Sequence, residues 1–544
     1  MTSTKVSSAD RLSAVYRQVS GSRWFAPLLL VGVFLVISAT SMRHQSLTWD
    51  EAAHLRYGKQ ILALNSNSFD LVKMPITAIN GIPEWIGTRI PIPGVAKVLG
   101  KLQVARAPTV LLSALAGLVF FKWVSEMYGR RAGLLALFLF VFEPSILAHS
   151  QIATDDAPFM AMTIFASYAL WRYSLRRSWG RAVALGVALG CAQWTKYTAL
   201  SLYPIFALIL LMYALPKARA LLRQGRARVL GAKVAYVAAQ SLVALLIGWV
   251  LINIGWVFNR SFTPLAEYKL RYEPFQQIQS ALSGVPALRV PVPIPYLVHL
   301  DLGLWLEAND GEGNIPYYLL GTLSHEPFKG YYLVAYLFKS PLAIQVLLLA
   351  ALVVYVRKRW YRNFMQKEVF LFLPVLVLGS YLNLLYRAQI GIRHYLMLLP
   401  YLLAFAASIL RGPQLPTLRF KSALAALGVF LVVSVLSYFP HFIPYLNELV
   451  LDRRFGYRIL ADSNIDYGQS AWYVIQWQKD HPAAIFEPEG PQAGEIVVAM
   501  NDLVGVSSDP EKYRWLRENF VPDEVIAYTH LVYEIDQDEV ASIR

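Results

Sequence analysis

Residues Phe25 to Ala39 read FAPLLLVGVFLVISA, and Thr48-Trp49-Asp50-Glu51 follows almost at once. The first stretch is apolar enough to enter a bilayer. The second sets two carboxylates at its exit, where a charge is costly to place in lipid and usually has a reason to be there. The rest of the chain repeats the first half of this pattern. Of its 544 residues 56% are hydrophobic and only 16% charged, against about 45–50% apolar residues in ordinary soluble domains. One soluble core does not hide so many separate apolar runs of about 18 residues or more. The composition therefore implies a mainly α, polytopic membrane protein.

About eleven spans are predicted, near 24–42, 107–125, 132–148, 157–173, 182–199, 201–215, 234–257, 331–356, 369–386, 395–410 and 421–439. The charges test that count. With the N-terminus inside, one inner loop carries Lys122, Arg130 and Arg131, and the next Arg172, Arg176, Arg177 and Arg181. A third holds Lys217, Arg219, Arg223, Arg226, Arg228 and Lys233. The last two hold Arg357, Lys358, Arg359, Arg362 and Lys367, then Arg411, Arg419 and Lys421. Every predicted inner loop is basic, as the positive-inside rule requires. The formal net charge of +15 is thus a topology signal, and no nucleic-acid partner is expected. Lys5, Arg11, Arg17 and Arg23 precede the first span with no small-residue cleavage site after it, the pattern of an uncleaved signal anchor. The single cysteine, Cys191, lies in an apolar run and excludes an intramolecular disulfide.

On this reading residues 1–439 form a transmembrane module with exported loops at 43–106 and 259–330 and a short one from Glu143 to Ala157. Residues 440–544 form a small exported domain of mixed α/β character, since polar residues and prolines replace the apolar runs after Pro482.

The charged residues of the exported side are the candidates for chemistry. Asp50, Glu51 and His54 open a helical stretch, and Asp50 and His54 share a face at i and i+4. That spacing suits a metal, but one Asp and one His are an incomplete ligand set. A plain N-cap role for Thr48 or Asp50 stands beside it. Lys73, before Met74-Pro75, offers a point charge suited to phosphate. The second loop carries Glu143-Pro144, His149 and the doubled acid Asp155-Asp156 at the mouth of a span, where capping and function are both open. Lys196 lies at the end of a span, where snorkelling accounts for it. Lys339 lies several residues inside one, and an intramembrane charge is by default a functional hypothesis. Arg393 and His394 form a very short outer loop, and arginine can grip a phosphate with two parallel hydrogen bonds. Asp462 to Gln469 is dense in turn formers, and Asn464 and Asp466 there could contact an acceptor or only cap the following helix.

In order and in membrane side these motifs resemble those of the integral-membrane GT-C glycosyltransferases. The nearest pattern is that of the protein O-mannosyltransferases and lipid A aminoarabinose transferases, families 39 and 83. The matching residues are Asp50-Glu51, Lys73 to Pro75, His149 through Asp156-Ala157-Pro158, Lys196-Tyr197, Phe338-Lys339-Ser340-Pro341 and Arg393-His394. Asp462 to Gln469 resembles a segment that follows the last span in some bacterial members. The resemblance covers about residues 25 to 470 and leaves everything beyond about 482 unmatched. It departs from the family in the Met74 between Lys73 and the proline, and in the doubling of Asp155 and Asp156.

The resemblance implies an enzyme of a bacterial inner membrane that moves a sugar from a polyprenyl-phosphate donor to a protein, lipid or glycan acceptor outside the cytoplasm, with inversion. Asp50 is then the base, with Glu51 its helper. Lys73, Arg393, Lys196, Lys339 and His394 are then the candidates to hold the donor phosphate. His54, Asp155, Asp156, Asn464 and Asp466 support the site or the acceptor. Some members use a divalent metal such as Mg or Mn, for which Asp50 and Asp156 would be the ligands. A lipid or solute transporter is the competing reading, but no paired halves with matched broken helices are visible. A membrane scaffold would leave the outer charges unexplained.

Overall fold

The computed structural model describes residues 24–64, 73–285, 287–309, 316–412 and 417–543. The basic N-terminal stretch of the expected signal anchor lies outside the described residues.

Each predicted apolar run is helical over most of its length, because only a helix satisfies its own backbone in lipid, though the run expected at 182–199 leaves its helix at Ala192. Among the described residues six helices are long and apolar enough to cross a membrane: Phe25–His44, Leu102–Tyr128, Tyr197–Arg223, Ala227–Gly255, Ile392–Leu410 and Leu418–Leu436. Three bent pairs bring the number to nine at most, if each pair counts as one span. The expected eleven is not reached on this measure, which rests on length and composition. The two other expected spans are Asp156–Leu175, whose first turn holds an acid, and the apolar but short Trp179–Ala192. The chain is a multi-pass membrane protein.

The expected straight span over 331–356 needs correction. Tyr331–Lys339 and Leu342–Arg357 meet at 111°. Ser340 is extended and Pro341 has no N–H to continue the ladder, so the helix stops after Lys339.

At one end of the bundle 126–128, 172, 367–368 and 411 come together. Arg411 Nη1 is 3.0 Å from Glu368 Oε1, Tyr128 donates to the same carboxylate, and Arg172 pairs with Glu126 at 2.7 Å. These residues come from loops that the charge pattern groups on one side. The opposite end carries Asp50, Lys73, Asp155, Asp156, Lys196 and Arg393.

The chain after the last span is of mixed character. Its four-stranded sheet runs Ile485–Phe486, Gly494–Ala499, His530–Ile535, Glu524–Ile526. The first pair is parallel and the others are antiparallel. Period-2 alternation sorts its residues. Ile496, Val498, Leu531 and Tyr533 join the main core, whereas Val497, Val532 and Ile526 face helix Ala471–Asp480 through Val474 and Trp477. The sheet is thereby packed onto the bundle rather than tethered to it.

Candidate functional site

Asp50 precedes helix Glu51–Leu62 but makes no side-chain cap bond. Its carboxylate turns to two cations instead. Lys73 Nζ donates to Oδ1 at 3.2 Å and Arg393 Nη1 to Oδ2 at 2.8 Å. The Tyr467 hydroxyl donates to Oδ2 as well and accepts from Arg393 Nη1. Arg393 also lies 3.9 Å from Asp156 Oδ2. Asp156 Oδ1 accepts a close bond from Lys196, which is 3.9 Å from Asp155. The result is an alternating row, Lys73–Asp50–Arg393–Asp156–Lys196–Asp155, with three cations and three carboxylates and no net charge.

Exposure is greatest at the Asp50 end of this row and least at Asp156 in its middle. The Asp50 side chain is 34% exposed and that of Lys73 20%, whereas Arg393 is 11% and Asp156 1% exposed. A ligand arriving from solvent meets Asp50 and Lys73 first. Burial works against the Asp50 charge, but Arg393, Lys73 and the Tyr467 hydroxyl outweigh it and hold the carboxyl well below its usual range. For Lys196, burial works to lower the pKa, and Asp156 and Asp155 more than reverse it.

Local structure explains how these residues reach one place. Pro75 opens a short 3-10 turn whose Ile76 N–H bonds the Trp194 carbonyl, two residues before Lys196. Gly58 permits this turn to lie on helix Glu51–Leu62, since a Cβ there would stand 2.4 Å from the Thr77 carbonyl oxygen. Gly391 has φ +128°, and a Cβ there would meet Ser463 Oγ at 2.4 Å. Its absence lets Asp462–Asn464 press against the segment that carries Arg393.

The other expected site residues fall elsewhere. Glu51 is fully buried and faces away from Asp50. Its oxygens accept Arg106 Nε at 2.8 Å and Nη2 at 2.6 Å, the Thr48 N–H and hydroxyl, and the Ala153 N–H at 2.7 Å. The geometry makes it a clasp between the loop that carries Asp50 and the loop that carries Asp155, with no oxygen left to help a base. Lys339 is buried and donates to the carbonyls of Ile443 and Asn464 at 2.5 and 2.7 Å, so its ammonium ties down the chain after the last span rather than a phosphate. Asn464 accepts from the Ile392 N–H and donates to the Tyr331 hydroxyl, which occupies the groups an acceptor would need. Asp466 accepts from the Gly468 N–H in a turn, and burial raises its pKa. His54 is buried, its Nδ1 has no hydrogen-bond partner, and burial lowers its pKa. His394 Nδ1 is engaged by Tyr386 at 2.8 Å.

Tyr467 and Arg106 were not singled out from sequence. Tyr467 sits inside a segment read as turn formers. Arg106 sits at the edge of a predicted span, and the signal that would have found it is the rule that a charge at membrane depth demands a partner, here an acid such as Glu51.

Among the described residues no three His, Cys, Asp or Glu side chains are placed to hold a metal. Arg393 lies between Asp50 and Asp156, the two expected ligands. The site as built does not fit a divalent ion.

Residues 92–249 match the family model described as dolichyl-phosphate-mannose-protein mannosyltransferase. The matched stretch lies inside residues 25 to 470, over which the sequence resembles the GT-C glycosyltransferases. The matched segment includes Arg106, Asp155, Asp156 and Lys196 and lies between Asp50 and Arg393. Among solved structures, the Archaeoglobus fulgidus oligosaccharyltransferase in the apo form is 12% identical with a TM-score of 0.42, over 76% of this chain and 55% of that one. The chain thus spans about half the length of that enzyme. ArnT from Cupriavidus metallidurans bound to undecaprenyl phosphate is 15% identical with a TM-score of 0.28, over 93% of this chain and 97% of that one. No curated protein matches the chain.

Proposed function

We propose that this chain is an inverting glycosyltransferase that moves a sugar from a polyprenyl-phosphate donor to an acceptor hydroxyl on the extracytoplasmic face. The family match supports lipid-linked sugar transfer in general terms. The observation that carries the finer reading is Asp50 held between Lys73 and Arg393. One carboxylate and two cations, from segments far apart in sequence, are what direct displacement at a sugar phosphate needs.

In this reading the donor phosphate takes Lys73 and Arg393, which stabilise the charge it gains as the bond from the anomeric carbon to the phosphate oxygen breaks. Asp50, released from both cations, accepts the proton of the acceptor hydroxyl as that oxygen bonds to the opposite face of the anomeric carbon. The electron pair of the broken bond leaves with the polyprenyl phosphate. Asp156, itself bonded by Lys196, supports Arg393 from behind. Glu51 and Arg106 fix the start of the helix that presents Asp50. Lys339 and Asn464 have no part in donor or acceptor binding.

The test is a transfer assay with the purified full chain and polyprenyl-phosphate sugars. Asp50→Asn should lower turnover at least about a hundredfold. Turnover close to that of the parent would overturn the assignment of the base.

A further inference from the structure

The segment Asp462–Gln469 touches both halves of the site. The Tyr467 carbonyl accepts from the Trp49 N–H at 3.1 Å, the Gln469 carbonyl accepts from the Ser46 N–H at 2.9 Å, and the Tyr467 hydroxyl reaches Asp50 and Arg393. Asn464 holds the Ile392 N–H at 2.9 Å and Ser463 bonds the Ile390 carbonyl, both beside Arg393. The segment is therefore a bridge between the loop of the carboxylate and the loop of its cation.

The bridge is gripped in turn by the C-terminal part of the chain, from the short helix that leaves its sheet. Asn501 is the second residue of the short helix Met500–Leu503, which directly follows strand Gly494–Ala499. Its Oδ1 accepts from the Asp462 N–H at 2.8 Å, and its Nδ2 donates to the Asp466 carbonyl at 3.3 Å. One amide thus clamps both shoulders of the turn that projects Tyr467. Asp462 has φ +57°, a conformation costly for a residue with a side chain, and the Asn501 bond falls on its own N–H. Asn501 is fixed in turn: its carbonyl accepts from the Val506 N–H at 2.9 Å, and the Met500 N–H donates to the Thr529 carbonyl at 2.8 Å.

We propose that the C-terminal domain positions the catalytic carboxylate, with Asn501 as the positioning residue acting through the Asp462–Gln469 turn on Tyr467 and so on Asp50. This rests on the reading of Asp50 as the base. It gives a role to the part of the chain in which the sequence offers no motif. Asn501 touches none of Lys73, Arg393 and Asp50, and Arg393 keeps its contacts to Asp50 and Asp156 without the Tyr467 hydroxyl, so the effect of Asn501 belongs in kcat more than in donor binding.

The experiment measures kcat, KM for the donor, affinity for polyprenyl phosphate without sugar, and melting temperature in Asn501→Ala, Tyr467→Phe and the double variant. Displacement of a reacting group by about an ångström costs up to about a hundredfold, so each single variant should lose about tenfold to a hundredfold in kcat. Their affinity for polyprenyl phosphate should change far less. Because the two residues act in series, the double variant should be little worse than the poorer single one. Parental kcat in Asn501→Ala, or losses that multiply in the double variant, would overturn the proposal. If the alanine variant does not fold, Asn501→Asp is read instead. It keeps an acceptor for the Asp462 N–H, loses the donor and brings a carboxylate beside Asp466. Reduced kcat at an unchanged melting temperature supports the proposal, and parental kcat sinks it. Normal turnover by Asp50→Asn would instead remove the base reading itself. A dead Asp50→Asn beside a fully active Asn501→Ala removes only this inference.

Discussion

Arg393 and Asp50 lie 343 residues apart in the chain and meet through an Nη1 to Oδ2 contact of 2.8 Å. Lys73 takes the other oxygen of the same carboxylate. The cations best placed for a phosphate are therefore already paired, and a phosphate ligand has to compete with Asp50 for them. Asp50→Asn should bind polyprenyl phosphate more tightly than the parent even as transfer is lost. A partly exposed ion pair is worth up to about 1 kcal/mol, so the gain should be about fivefold. Equilibrium binding of polyprenyl phosphate to the two proteins measures it, and equal affinities would show that Asp50 does not share its cations with the ligand.

The two cations should differ when removed. Lys73 contacts only one carboxylate oxygen and is the more exposed. Arg393 contacts Asp50, Tyr467 and Asp156. Lys73→Ala should weaken donor binding about tenfold and leave the rest of the row in place, as expected for one charge-assisted contact. Arg393→Ala should cost more, and in both KM and kcat, because it also frees Asp50 and leaves Asp156 buried without one of its charges. Arg393→Lys should not restore activity, since an ammonium cannot span Asp50 and Asp156 together. Steady-state kinetics across a donor concentration series separates these outcomes.

Glu51 and Arg106 make a different demand. Their side chains are both 0% exposed and 2.6 Å apart. The Arg106 guanidinium also bonds the carbonyls of Gln45 and Ser46. Removing one partner leaves a buried charge, which costs about 3–5 kcal/mol. Glu51→Ala and Arg106→Ala should each sharply lower the melting temperature. A Glu51→Gln, Arg106→Met double variant should recover part of that loss, because neither charge is then stranded. Thermal melts of the detergent-solubilised protein decide it, and a stable Glu51→Ala variant with reduced activity would return Glu51 to the reaction.

The membrane fold was legible because an apolar run of about 18 residues has few physical solutions. The break after Lys339 was harder to see. Ser340-Pro341 is written in the sequence, but the apolar residues on both sides read as one span. The charged row was legible by residue type and side: Asp50, Lys73, Asp155, Asp156, Lys196 and Arg393 were all placed on one face. Their division of labour was not. Glu51 and Asp50 are neighbours in sequence, yet a helix start turns one to solvent and the other to Arg106, whose position only tertiary packing sets. Lys339 looked like a phosphate ligand for the same reason, since sequence cannot show that the Ile443 and Asn464 carbonyls fold back onto it. Tyr467 depends on closure of a turn by Asn501, 34 positions later, which no local pattern encodes.

Part of the pH dependence of stability follows from two histidines beyond the last span. Burial pushes His441 and His530 down to about 4, with His44 adding to the effect at His441 and Glu487 opposing it at His530. His441 is 7% exposed and packs against Tyr473 at 4.5 Å between ring centroids, and the His530 Nδ1 bonds the Thr529 hydroxyl. An unfolded histidine takes up a proton below about pH 6.5, whereas these two stay neutral in the folded protein until about pH 4. The unfolded state then binds more protons, so their contribution to stability is complete above pH 6.5 and is lost as the pH falls from there toward 4. Asp50 works at lower pH: its depressed carboxyl stabilises the folded state above the ordinary carboxylate range and loses that effect only below it. Between pH 6.5 and 5 the histidines should therefore dominate over Asp50. The melting temperature should fall across this interval, by an amount equivalent to at most about 2 kcal/mol per histidine, since each pH unit is worth about 1.4 kcal/mol. His441→Gln should flatten the profile, because glutamine takes up no proton in either state. A His441→Gln variant whose melting temperature falls as steeply as that of the parent between pH 7 and 5 would show that His441 is not the group that charges on unfolding.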